Sequence, residues 1–253
     1  VIFTKLGKYS VFLQGKPNVV MLQIKIFPVN PLGANCYVCW EDAGKACIVV
    51  DPGFYRPDEE EMVFSFLREN GLTPDAVFLT HAHFDHAWSA ASVARRYGCP
   101  VWMSAADDGV LRNHSAMLDR LKLEKTVELF EYKDAADGTV IHAGGVDWKV
   151  IATPGHTPGC VCYWCEQWGV LLSGDTLFAG SIGRTDLDGG DYDALMKSLR
   201  EKILVLPGET DVLPGHGHPT SIAREAASNP FLLPFNEPDT DWSNQDGLFI
   251  DGI

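Results

Sequence analysis

The sequence predicts an α/β fold (α+β in its layering) of two similar halves, each a mainly antiparallel sheet covered by helices. Three observations carry this expectation. Apolar runs of strand length come first, a segment with helical spacing follows, and the same order then repeats. Clusters of His and Asp recur where those runs end. With 253 residues, 46% of them hydrophobic, the chain can bury a sizeable core as one compact unit.

Residues 22–27 and 36–40 are strand-like runs flanking a Pro/Gly/Asn connection, as in a hairpin. A third run, 46–50, stops at Asp51-Pro52-Gly53. Residues 57–70 place Met62, Val63, Phe66 and Leu67 at helical spacing and close before Gly71, a common helix terminator. A short strand at 76–79 leads into the polar run 80–86, and a helix at 87–97 follows. Further on, the pattern predicts a helix at 109–125, extended segments at 128–132, 140–143 and 148–152, and a hairpin from 161–164 and 169–172. A helix at 192–204 precedes a last strand ending at Leu213. Residues 1–20 are expected to be foreign to the native chain or an extra N-terminal segment. The catalytic domain is expected at 21–229, with residues 230–253 as a surface tail.

Composition excludes several classes of function. Against 20 Lys and Arg stand 34 Asp and Glu, a formal charge of −14, which repels nucleic acid and anionic membrane surfaces. Seven cysteines, spread along the chain, do not form the dense framework of a small secreted domain. With no apolar stretch near ~20 residues, the expectation is a soluble cytoplasmic protein with reduced thiols. Cys160, Cys162 and Cys165 are read as core residues rather than as a second metal knot.

Residues 80–86 read Thr-His-Ala-His-Phe-Asp-His, so His81, His83, Asp85 and His86 fall within six positions directly after a strand. Imidazole nitrogen and carboxylate oxygen suit zinc, iron or manganese. His156, Asp175 and His216 follow Gly at the ends of three other strands, where glycine lets a side chain approach a shared centre. Together these seven residues complete a ligand set for two divalent metal ions, zinc foremost, with one carboxylate available to bridge. His216 is preferred over His218 because a Pro-Gly turn precedes it. Asp51 is either a turn-capping residue or a support that holds a ligand imidazole through its distal N–H.

These motifs resemble the metallo-β-lactamase superfamily over residues 21–229, and within it the short bacterial glyoxalase II-like thioester hydrolases. The latter resemblance rests on the run from Leu213 to Gly217 and on Arg224 through Asn229-Pro230-Phe231. The resemblance implies a four-layer αββα sandwich with metals at the edge where two sheets meet. It assigns His81, His83 and His156 to one ion, Asp85, His86 and His216 to a second, and the bridge to Asp175. It further implies hydrolysis of a small-molecule thioester by solvent activated between the ions, with Asp85 and Asp175 as the catalytic carboxylates.

Resemblance also orders the competing activities. The zinc β-lactamases that name the family lack the bridging Asp, so β-lactam hydrolysis ranks lower, and lactone hydrolysis is placed beside it. Mononuclear iron persulfide dioxygenases share the histidine clusters and the Gly-Arg-Thr-Asp run at 183–186, and are the principal rival. Full-length glyoxalase II grips glutathione with a Lys where this sequence has Arg184, and with tyrosines where it has Asp186 and His218. Arg184 is therefore the expected substrate-binding residue, set against a surface ion pair with Asp186 or Asp188. Sequence leaves the oligomeric state open.

Overall fold

The computed structural model describes residues 21–233. The segment 1–20 and most of the expected tail, 234–253, lie outside the described residues. Six strands form the first sheet in the order of the chain: β1 (Leu22–Val29), β2 (Ala34–Glu41), β3 (Ala46–Val50), β4 (Thr73–Phe78), β5 (Val101–Met103) and β6 (Tyr132–Asp134). The second sheet contains β7 (Val140–Ala143), β8 (Val146–Ala152), β9 (Val161–Cys165) and β10 (Val170–Gly174). A small ribbon follows, β11 (Leu177–Phe178) with β12 (Ser181–Ile182). The strands β13 (Asp211–Pro214) and β14 (Thr220–Ser221) complete the second sheet, whose order is β14-β13-β10-β9-β8-β7.

Alternation along the strands explains the layering. In β2, Tyr37 and Cys39 face inward while Cys36 and Val38 face outward, and β3 repeats this with Ile48 and Val50 against Cys47 and Val49. Strands buried on both faces read as continuous apolar runs, as they do in the sequence. The inward residues meet Trp148, Val150, Val161, Tyr163 and Leu172 of the second sheet, forming the core between the sheets. On the outer face of the first sheet, helix α1 (Pro57–Glu69) contributes Val63, Phe64 and Leu67 to one cluster. The result is the expected αββα sandwich.

Three expectations are corrected. The first sheet is not mainly antiparallel, because β3-β4, β4-β5 and β5-β6 are parallel pairs. Parallel neighbours need crossovers, which α1 and the helices after β4 supply. The helix expected at 87–97 is two pieces, α2 (Phe84–Ala87) and α3 (Ala90–Tyr97). Ser89 divides them, its N–H donating to the Pro52 carbonyl and its hydroxyl to that of Phe54. The helix expected at 109–125 is α4 (Asp108–Arg112) and α5 (Ser115–Leu121), divided where Asn113 leaves helical geometry.

Helix α6 (Tyr192–Ser198) runs into a π turn at Leu199–Ile203 and packs with α7 (Ile222–Ser228) on the outer face of the second sheet. Leu232 is fully buried in that cluster, so the folded body extends past Asn229, where the sequence suggested a surface tail beginning at 230. Among the described residues no helix is long and apolar enough to cross a membrane.

Candidate metal centre

Four strands end at one edge of the sandwich, and the expected side chains lie just beyond them. His81 and His83 follow β4, His156 follows β8, Asp175 follows β10 and His216 follows β13. Asp85 and His86 sit within α2, with His83 at its N-cap, so a helical turn rather than an open loop aims these three. The seven residues form three overlapping groups able to hold a metal ion: His81, His83 and His156; His81, His86 and Asp175; Asp85, His86 and His216. Within each group the candidate ligand atoms lie within 4.8 Å of one another.

Asp175 stands between the two outer groups. One of its oxygens lies 3.4 Å from His156 Nε2 and 3.7 Å from His216 Nε2, and the other 3.6 Å from His86 Nε2. His86 Nε2 is 3.2 Å from His216 Nε2, and Asp85 reaches His216 at 3.3 Å. Close approach at this point requires glycine: a Cβ on Gly215 would lie 2.2 Å from Asp175 Oδ1 and 2.8 Å from His86 Cε1. His218, by contrast, is exposed.

The hydrogen bonds behind the histidines test whether the site suits cations. His86 donates from Nδ1 to Asp51 Oδ2 at 3.0 Å, and His156 donates from Nδ1 to the Arg184 carbonyl at 2.7 Å. The Thr80 hydroxyl gives its proton to Asp51 Oδ2 at 2.7 Å, which leaves its oxygen to accept from His81 Nδ1 at 3.1 Å. Each of these imidazoles therefore has Nδ1 engaged and turns Nε2 to the centre, as a metal ligand must, where His156 Nε2 lies 2.9 Å from His83 Nδ1 and His86 Nε2 lies against His216. His81 Nε2 and Asp175 Oδ1 are buried and have no hydrogen-bond partner. Orphaned buried polar atoms are costly, and a cation between them removes that cost. The donor set fits divalent metal ions.

Asp51 is thus more than a turn cap. It adopts a left-handed backbone, φ 49°, unfavourable for a residue with a Cβ, and its carboxylate also accepts from the Thr80 N–H at 2.8 Å. Sequence reasoning overlooked Thr80, whose signal was its place directly before the first histidine. It also overlooked Asn30, which donates to the Asp85 carbonyl, and Asn35 and Tyr37, which both donate to the Pro214 carbonyl and tether the His216 loop. Those three come from the opening hairpin, distant in sequence, so no local pattern marks them.

Electrostatics divides the two outer groups. Burial pushes the His81 imidazole well below its ordinary range, and burial followed by the His156 charge takes His83 down to about 3. Burial acts downward on His86 also, but Asp85, Asp175 and Asp51 outweigh it and raise that group to about 10. Burial would raise Asp85, yet His86 and His216 hold it well below the usual carboxylate range. His216 is raised, burial being outweighed by its bond to Asp85 and the charge of Asp175. Without metal, protons are the cations of the second group, so metal binding there displaces them.

His86 titrates above its unfolded value of ~6.5, so the stability it contributes is complete below that value and is lost as pH rises through about 10. Calorimetry of metal-free protein is expected to show a falling melting temperature from pH 7 to 10, while the metal-loaded form lacks this loss. Over the same interval metal affinity rises by about tenfold per pH unit for each proton displaced.

A cavity of about 480 Å³ opens onto the site. Leu32, Phe84, Met117, Phe178 and Ile182 line it with apolar surface, and Arg120 and Arg184 add positive charge. Trp88 is buried behind Phe84, their ring centroids 4.9 Å apart, and donates to the Lys125 carbonyl. The Arg184 guanidinium forks onto Asp186 through two 2.7 Å bonds, the ion pair set against substrate binding in the sequence reading. Arg120 makes no such forked pair, although its charge helps Arg184 to hold the Asp186 carboxyl below its ordinary range.

Comparison with known proteins follows the same lines. A family profile described as the Metallo-beta-lactamase superfamily matches residues 29–218. The probable metallo-hydrolase YqgX of Bacillus subtilis is 38% identical over 83% of this chain and 97% of its own length. Hydroxyacylglutathione hydrolase GloC of Haemophilus influenzae is 33% identical over 83% of this chain and 98% of its own. Among solved structures, BLEG-1 B3 metallo-beta-lactamase superposes with a TM-score of 0.76 at 36% identity, covering 83% of this chain and 99% of that one. TTHA1623 in a di-iron-bound form gives 0.72 at 33% identity, covering 82% and 99%. ETHE1 from Myxococcus xanthus gives 0.65 at 25% identity, covering 82% and 83%.

Proposed function

Because this chain belongs to the metallo-beta-lactamase superfamily and is a metallo-hydrolase of that group, we propose that it hydrolyses thioesters with two divalent ions. The observation that carries this reading is the position of Asp175, whose carboxylate lies between the two outer donor groups, Oδ2 near His156 and His216 and Oδ1 near His86. GloC, whose name describes thioester hydrolysis, supports the reaction class. When bound, a cation pair supplies water with a pKa of about 7 and a Lewis acid for the carbonyl oxygen. His81, His83 and His156 would hold one ion and Asp85, His86 and His216 the other, with Asp175 shared. Zinc is the first choice, and iron stands beside it because a relative is di-iron.

The chain's own residues supply the rest. Asp51 and Thr80 fix the imidazole tautomers, so no reorientation is needed at the moment of reaction. Phe84, Phe178 and Ile182 cover the acyl group and exclude bulk water, while Arg120 is placed to meet an anionic part of the substrate. Arg120→Ala is expected to raise KM for an anionic thioester roughly tenfold with kcat within about twofold, the pattern for loss of uniform binding. Arg184→Ala is expected to do less, because Asp186 already occupies its guanidinium.

Two other reactions have an observation in their favour. BLEG-1 is named a β-lactamase at 36% identity, which weighs against the low rank that the bridging Asp gave that activity. The Gly-Arg-Thr-Asp run at 183–186, shared with mononuclear iron persulfide dioxygenases, keeps the persulfide reading in view. The test is elemental analysis of protein purified without added metal, combined with turnover of S-acyl glutathione, other thioesters, a chromogenic β-lactam and glutathione persulfide. Two metal equivalents with thiol release from a thioester support the proposal. One iron with oxygen uptake on persulfide, or β-lactam turnover without thioesterase activity, overturns it.

A further inference from the structure

The carboxylate of Asp107 lies outside the ligand set, yet it connects the two loops that carry the first donor group. Asp107 closes a short 3-10 turn, Ala105–Asp107, after β5, and is fully buried. Its Oδ2 accepts from the Ala82 N–H at 2.9 Å and from the Thr157 hydroxyl at 2.8 Å, and its Oδ1 accepts from the Gly159 N–H at 2.6 Å. Ala82 stands between His81 and His83, and Thr157 directly follows His156. One side chain thus joins a loop of the first sheet to a loop of the second.

A buried carboxylate without a basic partner is unfavourable unless hydrogen bonds compensate, and among the described residues no Lys or Arg pairs with Asp107. Three donors to one charged acceptor form strong, directional bonds. An Asn could not replace it, since its single carbonyl oxygen cannot serve both sides and its NH2 would face an N–H. The fit is close on the far side as well, because a Cβ on Gly159 would lie 2.6 Å from Asp107 Oδ1. The second donor group is braced differently, by Asp51 behind His86, Asn30 behind Asp85 and Asn35 beside the His216 loop.

We propose that Asp107 is a positioning residue for one metal site of the two: it sets the separation of His81 and His83 from His156 and leaves the Asp85, His86 and His216 group to its own supports. This rests on the reading that these triads hold cations. Loss of Asp107 therefore acts selectively, weakening one ion and sparing the other.

The test is equilibrium competition for zinc between metal-free protein and a chromophoric chelator. In a His216→Ala background, which retains the first triad, Asp107→Asn is expected to lower zinc affinity by about 10- to 100-fold, as loss of a supporting bond does elsewhere. In a His83→Ala background, which retains the second group, the same substitution is expected to change affinity by less than about twofold. Equal losses in both backgrounds mean general destabilisation and overturn the proposal, as does no loss in either. Should Asp107→Asn fail to fold, Thr157→Val removes one donor and leaves the carboxylate; it must weaken the first site severalfold and spare the second. If His83→Ala alone retains both ions at unchanged affinity, the ligand reading fails instead, and the two failures are distinguished.

Discussion

Asp175→Asn is expected to lower kcat/KM by roughly 10³-fold or more and to leave one tightly held metal equivalent in place of two. The carboxylate has one oxygen 3.6 Å from His86 Nε2 and the other 3.4 Å from His156 Nε2, so it borders both outer donor groups. Asn keeps the shape but presents a single acceptor oxygen and an NH2 that repels a cation. The Asp175 Oδ1 atom, buried and unpartnered without metal, is the position at which that NH2 or the loss of charge acts. Metal content by mass spectrometry and steady-state kinetics check the two halves of the result separately. A variant with two ions and near-normal turnover would remove Asp175 from its assigned role.

The second large effect concerns the layer between the sheets. Trp148 is fully buried, its ring edge-on to Phe78 at 6.3 Å, and its Nε1–H donates to the Ala143 carbonyl at 3.2 Å. Phe78 in turn stacks on Tyr163 at 4.4 Å, and the Tyr163 hydroxyl donates to the Leu79 carbonyl just ahead of the His81 loop. Trp148→Ala is expected to cost about 3–5 kcal/mol through lost contact and the cavity left behind. Chemical denaturation measures that loss, and the melting temperature should fall by roughly 10 °C. Metal stoichiometry in the surviving folded fraction should remain that of the wild type, because no ligand contacts the indole. A change below about 1 kcal/mol would show that the interface between the sheets can collapse around the gap.

Much of this architecture was legible in the sequence because strands buried on both faces leave continuous apolar runs, and because each run ends in a polar turn. The seven candidate ligands were readable for the same reason: His81, His83, Asp85 and His86 are adjacent, and the other three each follow a glycine at a strand end. Strand direction was not legible. Nothing in residues 46–50 or 73–78 distinguishes a parallel neighbour from an antiparallel one, since that choice belongs to the crossover through α1. The break between α2 and α3 was also hidden, because Ser89 acquires its hydrogen-bond acceptors, the Pro52 and Phe54 carbonyls, only when a loop far away in sequence packs against it. Asp107 escaped for a similar reason. Its three donors come from two segments remote from it in the chain, and an Asp-Asp pair after a short strand looks like any solvated turn.

Anomalous diffraction at the metal edge, from crystals of protein loaded with zinc or iron, bears most directly on the central claim. Two peaks are predicted, one among His81, His83 and His156 and one among Asp85, His86 and His216, with density from Asp175 reaching both. A single peak at the first triad, with the second group empty at saturating metal, would contradict it.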